Sequence, residues 1–132
     1  LDLRYQLKGL ALRGQLIYSS LDNTTAYNQK LSSDLGSEMI GYYAEVAYDV
    51  FSLTDKFKSQ LIPFVRYEVY DTHSKVEDNI VKNNAYYNTF ITAGISWKIT
   101  PKVVVKSDYQ FYKSNSDNEY SQMFNAGIGL MF

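Results

Sequence analysis

The chain has 132 residues, a formal net charge of −1, a single His and no Cys. The lack of Cys excludes disulfides and thiolate metal sites, and the balanced charge gives no electrostatic footprint for nucleic acid. No stretch approaches the roughly 18–20 apolar residues of a membrane helix. Mean hydropathy is −0.30, a value shared by soluble chains and by barrels whose strands alternate apolar with polar residues.

Thirteen Tyr and seven Phe favour strands. In chain order, period-2 alternation marks seven segments, at about Leu1–Leu7, Leu10–Leu21, Met39–Val50, Gln60–Asp71, Tyr87–Ile99, Val103–Lys113 and Ser121–Phe132. Most exceed the usual soluble strand of about 5–6 residues and match the roughly 9–11 needed to cross a bilayer. Alternation is already under way at Leu1, which predicts a mature or truncated piece rather than a precursor with a leader.

The links also alternate. Lys8–Gly9 and Thr100–Lys102 read as tight turns. Phe51–Ser59 is moderate. Asp22–Glu38, Thr72–Tyr86 and Ser114–Tyr120 are polar, and the first two are long. Short turns on one rim and longer loops on the other suit an outer-membrane barrel.

The two faces of each segment differ. One parity carries Leu3, Leu12, Leu16, Ile40, Val46, Val65, Ile95, Val105 and Ile128, with aromatics toward the ends: Tyr5, Tyr18, Tyr42, Tyr48, Trp97, Tyr109, Phe111 and Phe132. The other carries five basic residues, Arg4, Arg13, Arg66, Lys98 and Lys106. It also carries five acidic ones, Asp2, Glu45, Asp49, Glu68 and Asp108, mixed with Gly41, Gly94, Gly127, Gly129, Ala47 and Asn125. A charge at the bilayer midplane costs about 2–4 kcal/mol on a lipid-facing strand, which accounts for a charge-free apolar parity. The fold class expected is therefore all-β, an antiparallel transmembrane β-barrel of which seven strands are present. An odd count does not close a bacterial single-chain barrel, so these strands are expected to be the last of a larger one. The aromatics would form two interfacial girdles.

The residues Gly41–Val50, Leu61–His73, Gly94–Tyr112 and Phe124–Phe132, preceded by Lys8–Ser20, resemble the C-terminal half of bacterial porins of the phosphate-selective porin O/P family. The resemblance implies a 16-stranded, often trimeric outer-membrane channel for small solutes. It also implies that Phe132 serves the barrel-assembly machinery as a recognition signal. Outer-membrane lipid and lipopolysaccharide would be its surroundings. Phosphate selectivity, implied by the family name, would want a ladder of Arg and Lys, whereas five bases here face five acids.

No enzyme activity, cofactor or metal is expected. His73 lies beside Asp71 and Ser74 in a stretch read as a solvated loop, and sequence proximity is not triad geometry. The loop acids Asp22, Asp34, Glu38, Glu77, Asp78, Asp117 and Glu119 lack calcium-loop spacing and read as solvated charge rather than as bridges to lipopolysaccharide. The function expected is passive diffusion of small hydrophilic solutes or ions. Two other readings fit the alternation: a small non-channel barrel with a structural or adhesive role, and a soluble lipid-binding barrel with its apolar face inward.

Overall fold

A computed structural model describes residues 1–54, 56–77 and 80–131. It holds one seven-stranded sheet, each strand antiparallel to the next in chain order. The strands are β1 (Asp2–Leu7), β2 (Leu10–Ser20), β3 (Glu38–Tyr48), β4 (Gln60–Lys75), β5 (Tyr87–Thr100), β6 (Val103–Ser114) and β7 (Ser121–Leu130). All seven expected segments are strands. The sheet is open: β1 and β7 are its two edges and do not pair with each other.

Local chemistry sets the turns. Lys8 (φ 44°) and Gly9 (φ 87°) are both left-handed, the backbone of a two-residue hairpin whose twist matches its strands. Gly9 is required twice over, because a Cβ there would also collide with the Ser52 hydroxyl. At the β5–β6 turn Pro101 presets the bend, and the Lys102 N–H donates to Thr100 Oγ1 at 3.2 Å.

Three boundaries differ from expectation. The β2–β3 link contains a helix, α1 (Thr24–Leu31), bounded by left-handed Asn23 and Ser32. It has no side-chain cap and no apolar stripe to announce it. Asn28 anchors it by exchanging two 2.9 Å hydrogen bonds with the Leu35 backbone. β3 stops at Tyr48, and Val50–Leu53 form a 3₁₀ turn. β4 runs on to Lys75, past the expected end at Asp71, because β3 still pairs with it there, Glu38 opposite Lys75.

The register unites the parities into two faces. Arg4, Arg13, Glu45, Arg66, Thr92, Gln110 and Met123 form one continuous cross-strand row. Leu12, Val46, Val65, Ala93, Tyr109 and Phe124 form another on the opposite face. The burial is inverted relative to a soluble domain. Val46 is 46% exposed and Val65 49%, while Glu45 is 7% exposed. A sheet that curls toward its charged face gives this result, since side chains converge on the inside of a curl and splay on the outside. We call the charged face inner and the apolar face outer. Only Ala47 and Val69 are buried hydrophobic residues among those described, so the sheet has no conventional core.

Candidate functional site: the charged inner wall

Across β2, β3 and β4 the inner wall is organised by Glu45. Its Oε1 accepts from Arg13 Nη1 at 3.1 Å, and its Oε2 from Arg66 Nε at 3.0 Å and Nη2 at 2.7 Å. The register makes this possible, because Arg13 and Arg66 are the direct partners of Glu45 on its two neighbouring strands. The Glu45 side chain is 5% exposed and the arginines 49% and 37%, so the acid lies beneath two guanidinium heads that reach toward solvent. Arg66 also lies over the Tyr43 ring, 4.9 Å from its centroid. Arg4 pairs with Asp2 at 3.1 Å on the edge strand. Arg4, Gln6, Leu12, Arg13, Tyr43 and Arg66 line a trough of about 640 Å³. With Glu68, the partner of Tyr43 on β4, three acids stand against the three arginines here.

The other inner charges behave differently. Asp108 accepts from Asn125 Nδ2 at 2.9 Å. Among the described residues, Glu68, Lys98, Lys106 and Asp108 form no ion pair. Arg66 does not pair with Glu68, nor Lys106 with Asp108, although each two lie two residues apart on one strand face. Arg66 reaches across strands instead. Asp49 does not belong to the wall. It lies beyond β3 and caps the 3₁₀ turn, with Oδ1 accepting from the Phe51 and Leu61 N–H groups at 3.2 Å and Oδ2 from Gln60 Nε2 at 3.0 Å. A carboxylate flanking a short turn is drawn to its free N–H groups more strongly than to an inner row of charge.

The outer face carries the aromatic side chains expected at the two rims. Tyr5, Tyr48 and Trp97 lie toward the rim of the short turns. Tyr18, Tyr42, Tyr109 and Phe111 lie toward the rim of the long links. Tyr109 donates to Gln122 Oε1 at 2.5 Å. Phe132 and Asp78 lie outside the described residues.

Outer-face charge does occur at the long-link rim, contrary to the charge-free expectation. Lys113 shares the parity of Tyr109 and Phe111, and its Nζ lies 4.8 Å from the Tyr120 ring centroid. Asp71 and His73 sit on the outer parity of β4, 4% and 2% exposed. Here the links fold over the strand end. His73 is thus a buried strand residue, not a solvated loop one. Its Nδ1 accepts from the Asn83 N–H at 3.3 Å, and Tyr86 packs on its ring at 4.2 Å. Asp71 Oδ1 accepts the backbone N–H of His73, and Oδ2 accepts from Lys82 Nζ at 3.1 Å. The carboxylate does not meet the imidazole, so the pair lacks the orientation of a nucleophile-activating triad. Tyr86 donates to Asp34, 3.1 Å from Oδ2, which joins the two long links. That hydrogen bond to a carboxylate holds the Tyr86 phenol above its usual pKa. No group of three or more potential ligands for a metal ion occurs among the described residues.

Inner aromatics were the feature least visible in the sequence. Tyr43, Phe64, Tyr70, Phe90 and Tyr112 all lie on the charged face. Their signal was present, since each falls on the polar parity of its segment. A search for apolar parity passes over an aromatic on the other side.

No protein-family model and no solved structure matches the chain. An uncharacterized protein of Aquifex aeolicus (strain VF5) is 35% identical over 96 residues, which are 71% of this chain and 21% of the relative. The chain thus spans about a fifth of that relative's length.

Proposed function

We propose that the chain is a wall segment of an outer-membrane β-barrel porin, through which small hydrophilic solutes or ions diffuse passively. The observation that carries this reading is the inverted burial. In the middle of β3 and β4 the apolar side chains are half exposed, Val46 at 46% and Val65 at 49%, while Glu45 on the opposite face is 7% exposed and is held between two arginines. A compact soluble monomer of 15.2 kDa would expose about 7,100 Å², and this chain exposes 9464 Å². Lipid against the outer face would remove its apolar side chains from water. A soluble lipid-binding barrel needs the opposite curl, with its apolar face inside.

The bare edges of β1 and β7 support the same reading. Unpaired backbone groups are costly in hydrocarbon, so these edges require further strands. The relative's greater length leaves room for them. The likeness to the phosphate-selective porin O/P family and a trimeric assembly belong to this proposal.

The mechanism involves no bond-making. Solutes pass according to lumen width and the field of the wall. Arg4, Arg13 and Arg66, held in place around Asp2 and Glu45, would draw anions toward one side of the lumen. Lys98 and Lys106 would draw anions as well, while Glu68, on the same strand face as Arg66, and Asp108 would favour cations. Planar-bilayer recording of the full polypeptide that carries this chain tests the proposal. Stepwise conductance is expected, and its absence from protein shown to be folded would overturn the porin reading.

A further inference from the structure

Three inner-face aromatics form a ladder across β4, β5 and β6. The rings of Tyr70 and Phe90 lie 5.6 Å apart at 23°, and those of Phe90 and Tyr112 lie 5.8 Å apart at 16°. The ladder lies among polar groups, one of them a carboxylate: Glu68 stands opposite Phe90. Asn88 stands opposite Tyr70. Thr92 and Gln110 lie just below, joined by a 3.1 Å hydrogen bond from Gln110 Nε2 to Thr92 Oγ1.

The end of the ladder is open. Tyr70 is paired with Gly41, and Gly41 with Ile17 on the far side. A Cβ at Gly41 would sit 3.5 Å from Tyr70 Cβ. The missing side chain therefore leaves a slot floored by Gly41, with Ile17 (58% exposed) and Tyr70 (38% exposed) as its walls. Gln15, Tyr43 and Glu68 form the next row below on the same face, which continues into Phe90 and Tyr112.

Contiguous apolar surface facing water marks an interaction site more often than an accident. The ligand chemistry follows from the surroundings. A free anion would be repelled by Glu68, which stands opposite Phe90, and drawn instead to the arginines. A wholly apolar solute would leave Gln15, Thr92, Asn88 and Gln110 without purpose. A ring with an apolar C–H face and a rim of hydroxyls matches both parts. The face stacks on an aromatic ring, and the hydroxyls meet amide, hydroxyl and carboxylate groups.

We propose that this inner wall binds neutral carbohydrate. One pyranose ring enters the slot over Gly41 against Tyr70, and the Tyr70–Phe90–Tyr112 strip guides the following rings. The proposal rests on the porin reading, which makes the inner face wet, and it names a solute class for that channel.

The test is single-channel recording of the full polypeptide with maltohexaose as probe and sorbitol, an open-chain polyol, as control. Maltohexaose is expected to block the current reversibly and sorbitol is not. Tyr70→Ala is expected to raise the half-blocking concentration about 5- to 10-fold, the worth of one aromatic stacking contact, with Tyr70→Trp retaining block. Gly41→Val fills the slot without removing a contact, and a similar loss is expected. Conductance without block, or block equal in wild type, Tyr70→Ala and Gly41→Val, would overturn the carbohydrate inference and leave the porin standing. Absence of conductance from folded protein would overturn both.

Discussion

Glu45 and Arg66 face each other across β3 and β4, with Arg66 Nη2 2.7 Å from Glu45 Oε2, and the same carboxylate binds Arg13 on the other side. One buried acid therefore holds two cations that would otherwise repel. Glu45→Gln removes the charge and keeps the shape. Breaking a fully buried pair costs about 3–5 kcal/mol. The arginine heads here are more than a third exposed and solvent screens them, so the expected loss is about 1–2 kcal/mol. The unfolding midpoint of the refolded full polypeptide in detergent measures it. In a salt gradient, the same variant should shift the reversal potential toward anion preference. An unchanged midpoint and potential would mean that the three side chains are not coupled.

Facing can be tested chemically. Val65 is on the outer face, while Thr92 belongs to the inner row of Arg66. In lipid vesicles, Cys at Val65 should react poorly with a charged, membrane-impermeant thiol reagent, and Cys at Thr92 should react readily in the open lumen. The reverse order of labelling would exchange inside and outside.

Two glycines on the inner parity should respond in opposite ways to Ala. A Cβ at Gly94 would lie 2.6 Å from Asp108 Cβ and from the Ser107 carbonyl, and 2.9 Å from the Phe64 ring. Gly94→Ala is expected to destabilise by about 1–3 kcal/mol, as overpacking does. A Cβ at Gly127 would meet nothing within 4 Å, so Gly127→Ala should lie within about 0.5 kcal/mol of wild type. Thermal unfolding of both variants decides the point, and equal effects would contradict the close packing at Gly94.

The β6–β7 link carries a pH-dependent contact. Asp117 Oδ2 accepts from the Ser114 N–H and hydroxyl, both at 2.8 Å. The backbone bond first, and the hydroxyl second, hold the Asp117 pKa below its usual value. Because the folded value is the lower one, the contribution is complete above the unfolded pKa of about 3.9 and fades as pH falls through the folded value. Hydrogen exchange at the Ser114 amide, followed from neutral pH downward, should show protection lost only in that acid range. Asp117→Asn should remove the pH dependence. Protection that is lost near neutral pH would assign it to another group.

Much of the fold was legible because strand alternation has a short period and strong chemistry behind it. A one-residue slip would move Arg13, Glu45 and Arg66 to the outer face and Leu12, Val46 and Val65 to the inner, so seven segments could be placed closely. Strand ends were less legible. Asp49 continues the inner parity of β3 in sequence, yet the free N–H groups of a 3₁₀ turn claim it. His73 sits in a polar stretch that looks like a loop, yet pairing with β3 continues around it to Lys75. Helix α1 has no amphipathic pattern, and its anchor, Asn28 on Leu35, is a contact that no periodicity reports.

By itself, the sequence determined the strands, their order of faces and the segregation of charge from apolar surface, since each follows from side-chain chemistry at a period of two. Only the tertiary structure decided which charges meet. Arg66 is two residues from Glu68 in the chain but binds Glu45, 21 residues away, because register, not sequence distance, sets which side chains stand side by side. It also decided the direction of the curl, which leaves Val65 bare and encloses Glu45. That direction is a property of the whole sheet's twist and packing, and no single strand carries it.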